Sequence, residues 1–152
     1  MAEPDKGRFT AGVFQDAAWA EKGIDALRRQ GFPPEALSLV AADKPEAAAM
    51  AERVFGGPPA RTEVRGLGQT VATGPLIAAI DGETGDLSRL GLSATMGRVG
   101  FQPHDCQIFE ALTARGGVLV AVRGEARAAD ALATLHSYGA GNAAIGAWTG
   151  RL

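Results

Sequence analysis

Cysteine is almost missing from this chain: Cys106 is the only one in 152 residues. That excludes a disulfide within the chain and any metal site built from several thiolates. It also suits a reducing compartment, so a cytoplasmic location is expected. A surplus of positive charge is missing too. Lys and Arg number 15 against 17 Asp and Glu, a net charge of −2. Such a surface does not gather phosphates, so no nucleic-acid partner is expected. Aromatic residues are 6%. A sheet that reads RNA needs exposed rings and cations on its central strands, and only Phe14 and Arg123 offer themselves. No apolar run is long: Val64 to Ile80 contains Arg65 and Gln69 and falls short of the ~20 apolar residues of a membrane span. Met1 to Arg8 is polar, without the apolar stretch of a signal peptide, so residues 1–7 read as a loose tail.

What is present has the usage of a folded domain, with 46% hydrophobic and 21% charged residues. One domain over residues 8–152 is expected. The strongest strand signal is Gly116-Gly117-Val118-Leu119-Val120-Ala121-Val122-Arg123, apolar enough for the centre of a sheet. Phe9 to Phe14 is another strand. Phe9, Ala11 and Val13 are expected on one face, Thr10, Gly12 and Phe14 on the other. Asp16 caps a helix from Ala17 to Gln30 whose buried stripe is Ala17, Ala20, Ile24 and Leu27, and Gly31 ends it. Leu37 to Ala42 is a strand and Pro45 to Phe55 a helix. The glycine- and alanine-rich stretch from 64 to 80 packs closely, as a helix or extended. Asp86 to Met96 reads as a short helix with Leu87, Leu90 and Leu92 inward. Pro103 to Ala114 is a helix with Ile108, Phe109 and Leu112 as its apolar face. Glu125 to Tyr138 is a helix and Asn142 to Trp148 the last strand.

The two ends of the chain repeat one pattern. Setting Gly31 on Gly139 places Ala20 on Ala128, Ile24 on Leu132 and Leu27 on Leu135. With one deletion in the preceding loop, Phe9, Ala11 and Val13 fall on Val118, Val120 and Val122. Two βαβ units of this kind predict an α+β, ferredoxin-like fold: a four-stranded antiparallel sheet with helices on one face and a helical insertion at about 45–115. The far face carries apolar residues, so it needs a cover, either the insertion or a second copy. Phe14, Leu119, Ala121 and Arg123 on that face, with Gly74 and Pro75 in the insertion, are the interface candidates.

Chemistry has few candidates. Cys106 follows His104 and Asp105 in the first turn of its helix, where a thiol can be activated, so Cys106 with His104 is the redox candidate. Neighbouring helix positions point apart, so His104, Asp105, Cys106 and His136 do not read as a metal site. Gly66-Leu-Gly68 lacks the rest of a dinucleotide fingerprint, and no cofactor is expected. Gly12, Gly116 and Gly117 lie at strand ends where a small molecule could sit against backbone.

The run from Thr10 to Phe32, continued by Leu37-Ser-Leu-Val-Ala-Ala42, Thr73-Gly-Pro-Leu-Ile-Ala-Ala79 and Gly116 to Val122, resembles the bacterial general-stress-protein family of the heat- or low-temperature-induced type. The resemblance spans roughly residues 8–140. It implies a stress association and no catalytic residues. The expectation is therefore a non-catalytic protein acting by self-association, as a homodimer or other homo-oligomer, or by binding a partner. A small-molecule-sensing regulatory module and a thiol redox sensor using Cys106 are the alternatives.

Overall fold

A computed structural model describes residues 8–82, 85–124 and 126–146. The expected tail at 1–7, Glu125, and the final strand positions Ala147 and Trp148 lie outside the described residues. Strand β1 (Phe9–Phe14) leads into helix α1 (Ala17–Arg29), where Asp16 Oδ1 accepts the Trp19 backbone N–H at 2.9 Å. Then come β2 (Leu37–Ala42), α2 (Pro45–Phe55), β3 (Arg61–Val64), β4 (Gly68–Thr73) and α3 (Pro75–Asp81). The short helices α4 (Asp86–Leu90) and α5 (Leu92–Met96) precede α6 (Pro103–Ala114), β5 (Val118–Arg123), α7 (Ala128–Ser137) and β6 (Gly141–Ile145). No helix among the described residues is long and apolar enough to cross a membrane.

The fold is α+β, but the sheet has six strands where four were expected. Their order is β3-β4-β2-β5-β1-β6, and every neighbouring pair is antiparallel. The added strands β3 and β4 form a hairpin inside the stretch expected to be a helical insertion. Gly66 and Gly68 turn it with φ of 87° and 81°, a conformation that a side chain disfavours. Helices cover both faces rather than one. On the first face α1, α2 and α7 bury Ile24, Leu27, Met50, Val54 and Leu135 against Phe14, Leu37, Leu39, Val118, Val120 and Val122. On the second, α3 to α6 bury Leu76, Ile80, Leu92, Met96 and Phe109 against Phe9, Ala11, Val13, Val40, Leu119 and Ala121. Each face is a separate apolar core, driven by the area removed from water on that side.

The faces of β1 are the reverse of the expectation. β1 pairs with β5 so that Phe14 stands opposite Val118 and Val13 opposite Leu119. Residues opposite each other share a face, so Thr10, Gly12 and Phe14 look toward α1 and α7. The repeat then needs no deletion: Thr10, Gly12 and Phe14 fall on Val118, Val120 and Val122. A one-residue slip in alignment turns every side chain of a strand over, which is what the deletion did. The helix ends carry the repeat in hydrogen bonds. Gly31 N–H donates to Arg28 O at 3.0 Å and Phe32 N–H to Leu27 O at 3.1 Å. Gly139 N–H donates to His136 O and Ala140 N–H to Leu135 O, both at 3.0 Å. These are two Schellman caps at matching positions.

Between the repeats, residues 45–115 supply the hairpin and the cover of the second face. Gly74 is the contact point. Its φ is 112°, and a Cβ there would collide with Leu37 O and Ser38 Oγ. The close approach lets Ser38 Oγ accept the Leu76 N–H at 2.8 Å, satisfying one open donor in the first turn of α3. The helix expected over Asp86–Met96 is broken at Gly91, whose φ is 92°, and Leu90 turns outward.

Candidate functional site

The redox candidate is closed off. Cys106 is 1% exposed, and its thiol is within 3.7 Å of Phe101 O, to which it donates. Burial pushes the thiol pKa up, and the Asp105 carboxylate adds to the shift. A sensing thiol needs the opposite. His104 is exposed, and among the described residues no three His, Cys, Asp or Glu side chains gather as a metal site.

Five of the six interface candidates are taken up inside the chain. Phe14 packs in the first core; Leu119 and Ala121 pack in the second, under the insertion. Gly74 and Pro75 dock α3 on β2 and are half-buried. Arg123, at the end of β5, is exposed. Among the described residues, the cover over Leu119 and Ala121 on the far face is intramolecular, supplied by the insertion.

The glycine candidates have packing roles, and one of them borders open space. A Cβ on Gly12 would stand 2.8 Å from Ala140 Cβ. Gly116 and Gly117 close α6 with N–H bonds to Thr113 O at 3.1 Å and Leu112 O at 3.0 Å. A Cβ on Gly117 would stand 2.6 Å from Val13 Cγ1, yet Gly117 also lines a cleft at the end of β1.

That cleft is the candidate site. It consists of two adjoining hollows of about 320 and 330 Å³ that share Gln15 and Gly139. The first is walled by Trp19, Ser137 and Tyr138, the second by Leu112, Arg115, Gly117 and Gly141 among others. Gln15 directly follows β1, the first turn of α1 delivers Trp19, the cap of α7 delivers Tyr138, and the cap of α6 delivers Arg115. Trp19 is 40% exposed, with Lys22 Nζ 4.6 Å from its ring centroid. Arg115 has no charged partner among the described residues. Aromatic surface and cations meet here, which suits binding. Sequence reasoning missed Gln15, Trp19, Tyr138 and Arg115. One signal was available: Trp19 is a large ring off the buried stripe of α1.

Compared with known protein families, curated proteins and solved structures, the chain matches none.

Proposed function

We propose that this is a non-catalytic, stress-associated domain that acts by self-association, two copies pairing along their β6 strands. The observation that carries this reading is the contrast between the two sheet edges. β3 is guarded: it bears Arg61 and Glu63, and α4 lies along it, with Ser88 Oγ–H donating to Glu63 O at 2.6 Å and Arg65 N–H to Leu87 O at 3.1 Å. Among the described residues β6 bears no charged side chain, and its tie to a helix is the bond from Asn142 Nδ2 to Asp105 of α6, at 3.4 Å to Oδ1. It is Gly141-Asn-Ala-Ala-Ile145, uncharged and half-buried along its length. Unguarded neutral edges template pairing with another strand. A two-fold pairing of β6 with β6 closes on itself, so it ends in a dimer rather than a fibre.

The stress association rests on the resemblance of Thr10 to Phe32 and Gly116 to Val122. A duplicated ferredoxin-like core belongs to the same reading, supported by the matching helix caps and by the order β2-β5-β1-β6 inside the sheet. Cytoplasmic location, supported by the single buried thiol, completes it. Light scattering at two concentrations tests the association. The wild-type mass should rise toward twice the 15.6 kDa chain mass, and Ile145→Lys should hold it at the monomer value. A wild-type monomer at both concentrations would refute the reading.

A further inference from the structure

We infer that the second copy is held by helices as well as by strands: α7 packs on its counterpart over one face of the joined sheet through Leu132, and α6 on its counterpart over the other through Ile108. This rests on the β6 pairing proposed above and names the side chains that secure it.

The internal repeat points to the missing cover. Setting Gly31 on Gly139 sets Glu21 on Ala129 and Ile24 on Leu132. In α1 this side is covered. Arg53 of α2 donates to Glu21 at 2.8 Å, and Ile24 is 1% exposed in the first core. α7 has α1 on its other side, where Gln30 Nε2 donates to Thr134 Oγ1 at 2.6 Å. Two residues apart on a helix is more than half a turn, so Leu132 faces away from α1. On that side the sheet ends at β6, which α7 contacts. Leu132 is half-buried and belongs to neither core.

The other face has the same feature. α6 reaches β6 through Asp105, which accepts from Asn142 Nδ2 at 3.4 Å. It reaches β6 again through Leu112, whose Cδ1 would stand 3.3 Å from a Cβ on Gly141. Ile108 is three residues from the first and four from the second, so it shares their side of the helix. Ile108 is half-buried and outside both cores, and so is Ile145 on β6 itself. Three large apolar side chains thus border one sheet edge, one on the strand and one on a helix over each face.

This arrangement selects its occupant. An extended peptide added to β6 would cover Ile145 and leave both helices bare. Covering all three takes an edge strand with a helix on each face, and this chain supplies one. A two-fold axis perpendicular to the sheet makes the paired strands antiparallel and keeps each face on its own side, so α7 meets α7 and α6 meets α6. β6 has five residues, against the roughly 20–30 a side of a stable interface, so strand pairing needs the helix contacts.

Light scattering of the full chain across a concentration series tests this. Leu132→Glu and Ile108→Glu should each raise the dimer dissociation constant about tenfold or more, since each places two unpaired carboxylates in the interface. Leu132→Ala and Ile108→Ala, which remove only apolar area, should raise it in the same direction by less. Leu90→Glu, at an exposed apolar residue of α4 beside the opposite edge, should leave it unchanged. Far-UV circular dichroism checks that the variants stay folded. A wild-type dimer whose dissociation constant is unchanged by the substitutions at Leu132 or at Ile108, or is raised equally by Leu90→Glu, would overturn the helix contacts and leave strand pairing standing. A wild-type monomer would overturn both.

Discussion

The ring of Phe14 fills the space that a side chain on Gly23 would need: a Cβ there would stand 2.5 Å from Phe14 Cζ. In the second repeat the matching residues are Val122 and Ala131, both buried in the same core. One half pairs a large ring with no side chain, and the other pairs a smaller side chain with a methyl. Gly23→Ala should therefore destabilise by about 1–3 kcal/mol through overpacking, against a helix-propensity gain of ~1 kcal/mol. Phe14→Val alone should cost about 2–4 kcal/mol as a cavity. The double variant copies the other repeat and should recover about 0.5–3 kcal/mol relative to the sum of the two. Urea unfolding of the three variants measures the cycle; strict additivity would show that the two positions do not share one space.

Much of this architecture was legible in the residues. The Val118 strand, α1 with its Asp16 cap, α2, α6 and the correspondence of Gly31 with Gly139 all have local causes: apolar runs, capping side chains and positive-φ glycines. What was not legible depends on register and on nonlocal approach. The face of β1 turned on a single alignment gap, since Phe9 and Phe14 are apolar on opposite faces and both faces proved buried. The hairpin at 61–73 was obscured because Gly66 and Gly68 read equally as close-packing residues and as turn residues. Arg115 could not be joined to Trp19 from spacing, because the cleft is closed by three helix ends far apart in sequence.

Ser38 anchors the insertion to the sheet through Leu76. Ser38→Ala leaves that buried N–H without its acceptor and should cost about 1–3 kcal/mol. Exchange of the Leu76 amide should accelerate before the β5 amides do, because the lost contact belongs to the cover and not to the central strands. Equal protection in variant and wild type would contradict the anchoring role.

Cys106 makes stability depend on alkaline pH. Its folded-state pKa is raised by burial, so the folded chain keeps the proton that the unfolded chain releases above about 8.5. The unfolded state then binds fewer protons, and stability falls as pH rises from that value toward the higher folded pKa. Denaturation between pH 7 and pH 10 should show this decline, and Cys106→Ala should lessen it. A thiol reagent should label native protein slowly, with full labelling on unfolding; fast native labelling would contradict the buried placement.

Glu21 ties α1 to α2. Arg53 Nε donates to Glu21 Oε2 at 2.8 Å and its second nitrogen to Oε1 at 2.6 Å. The hydrogen bonds from Arg53 hold the Glu21 pKa below the usual value. The carboxylate contributes stability above its unfolded pKa, and that contribution is lost as pH falls through the lowered folded value. The pair is largely exposed, so the effect is small. Arg53→Gln should flatten the acid limb of the stability curve and leave the alkaline limb alone, as read by urea unfolding from pH 7 to pH 3.

The proposed pairing of β6 strands is testable at one backbone group. Gly146 N–H donates to Phe9 O at 2.7 Å, so by alternation the Ile145 N–H points away from β1 to the open edge. Amide hydrogen exchange across a concentration series tests it directly. Pairing predicts that the Ile145 amide gains protection as concentration rises while the β3 amides do not change. Exchange at Ile145 that is independent of concentration would contradict self-association through this edge.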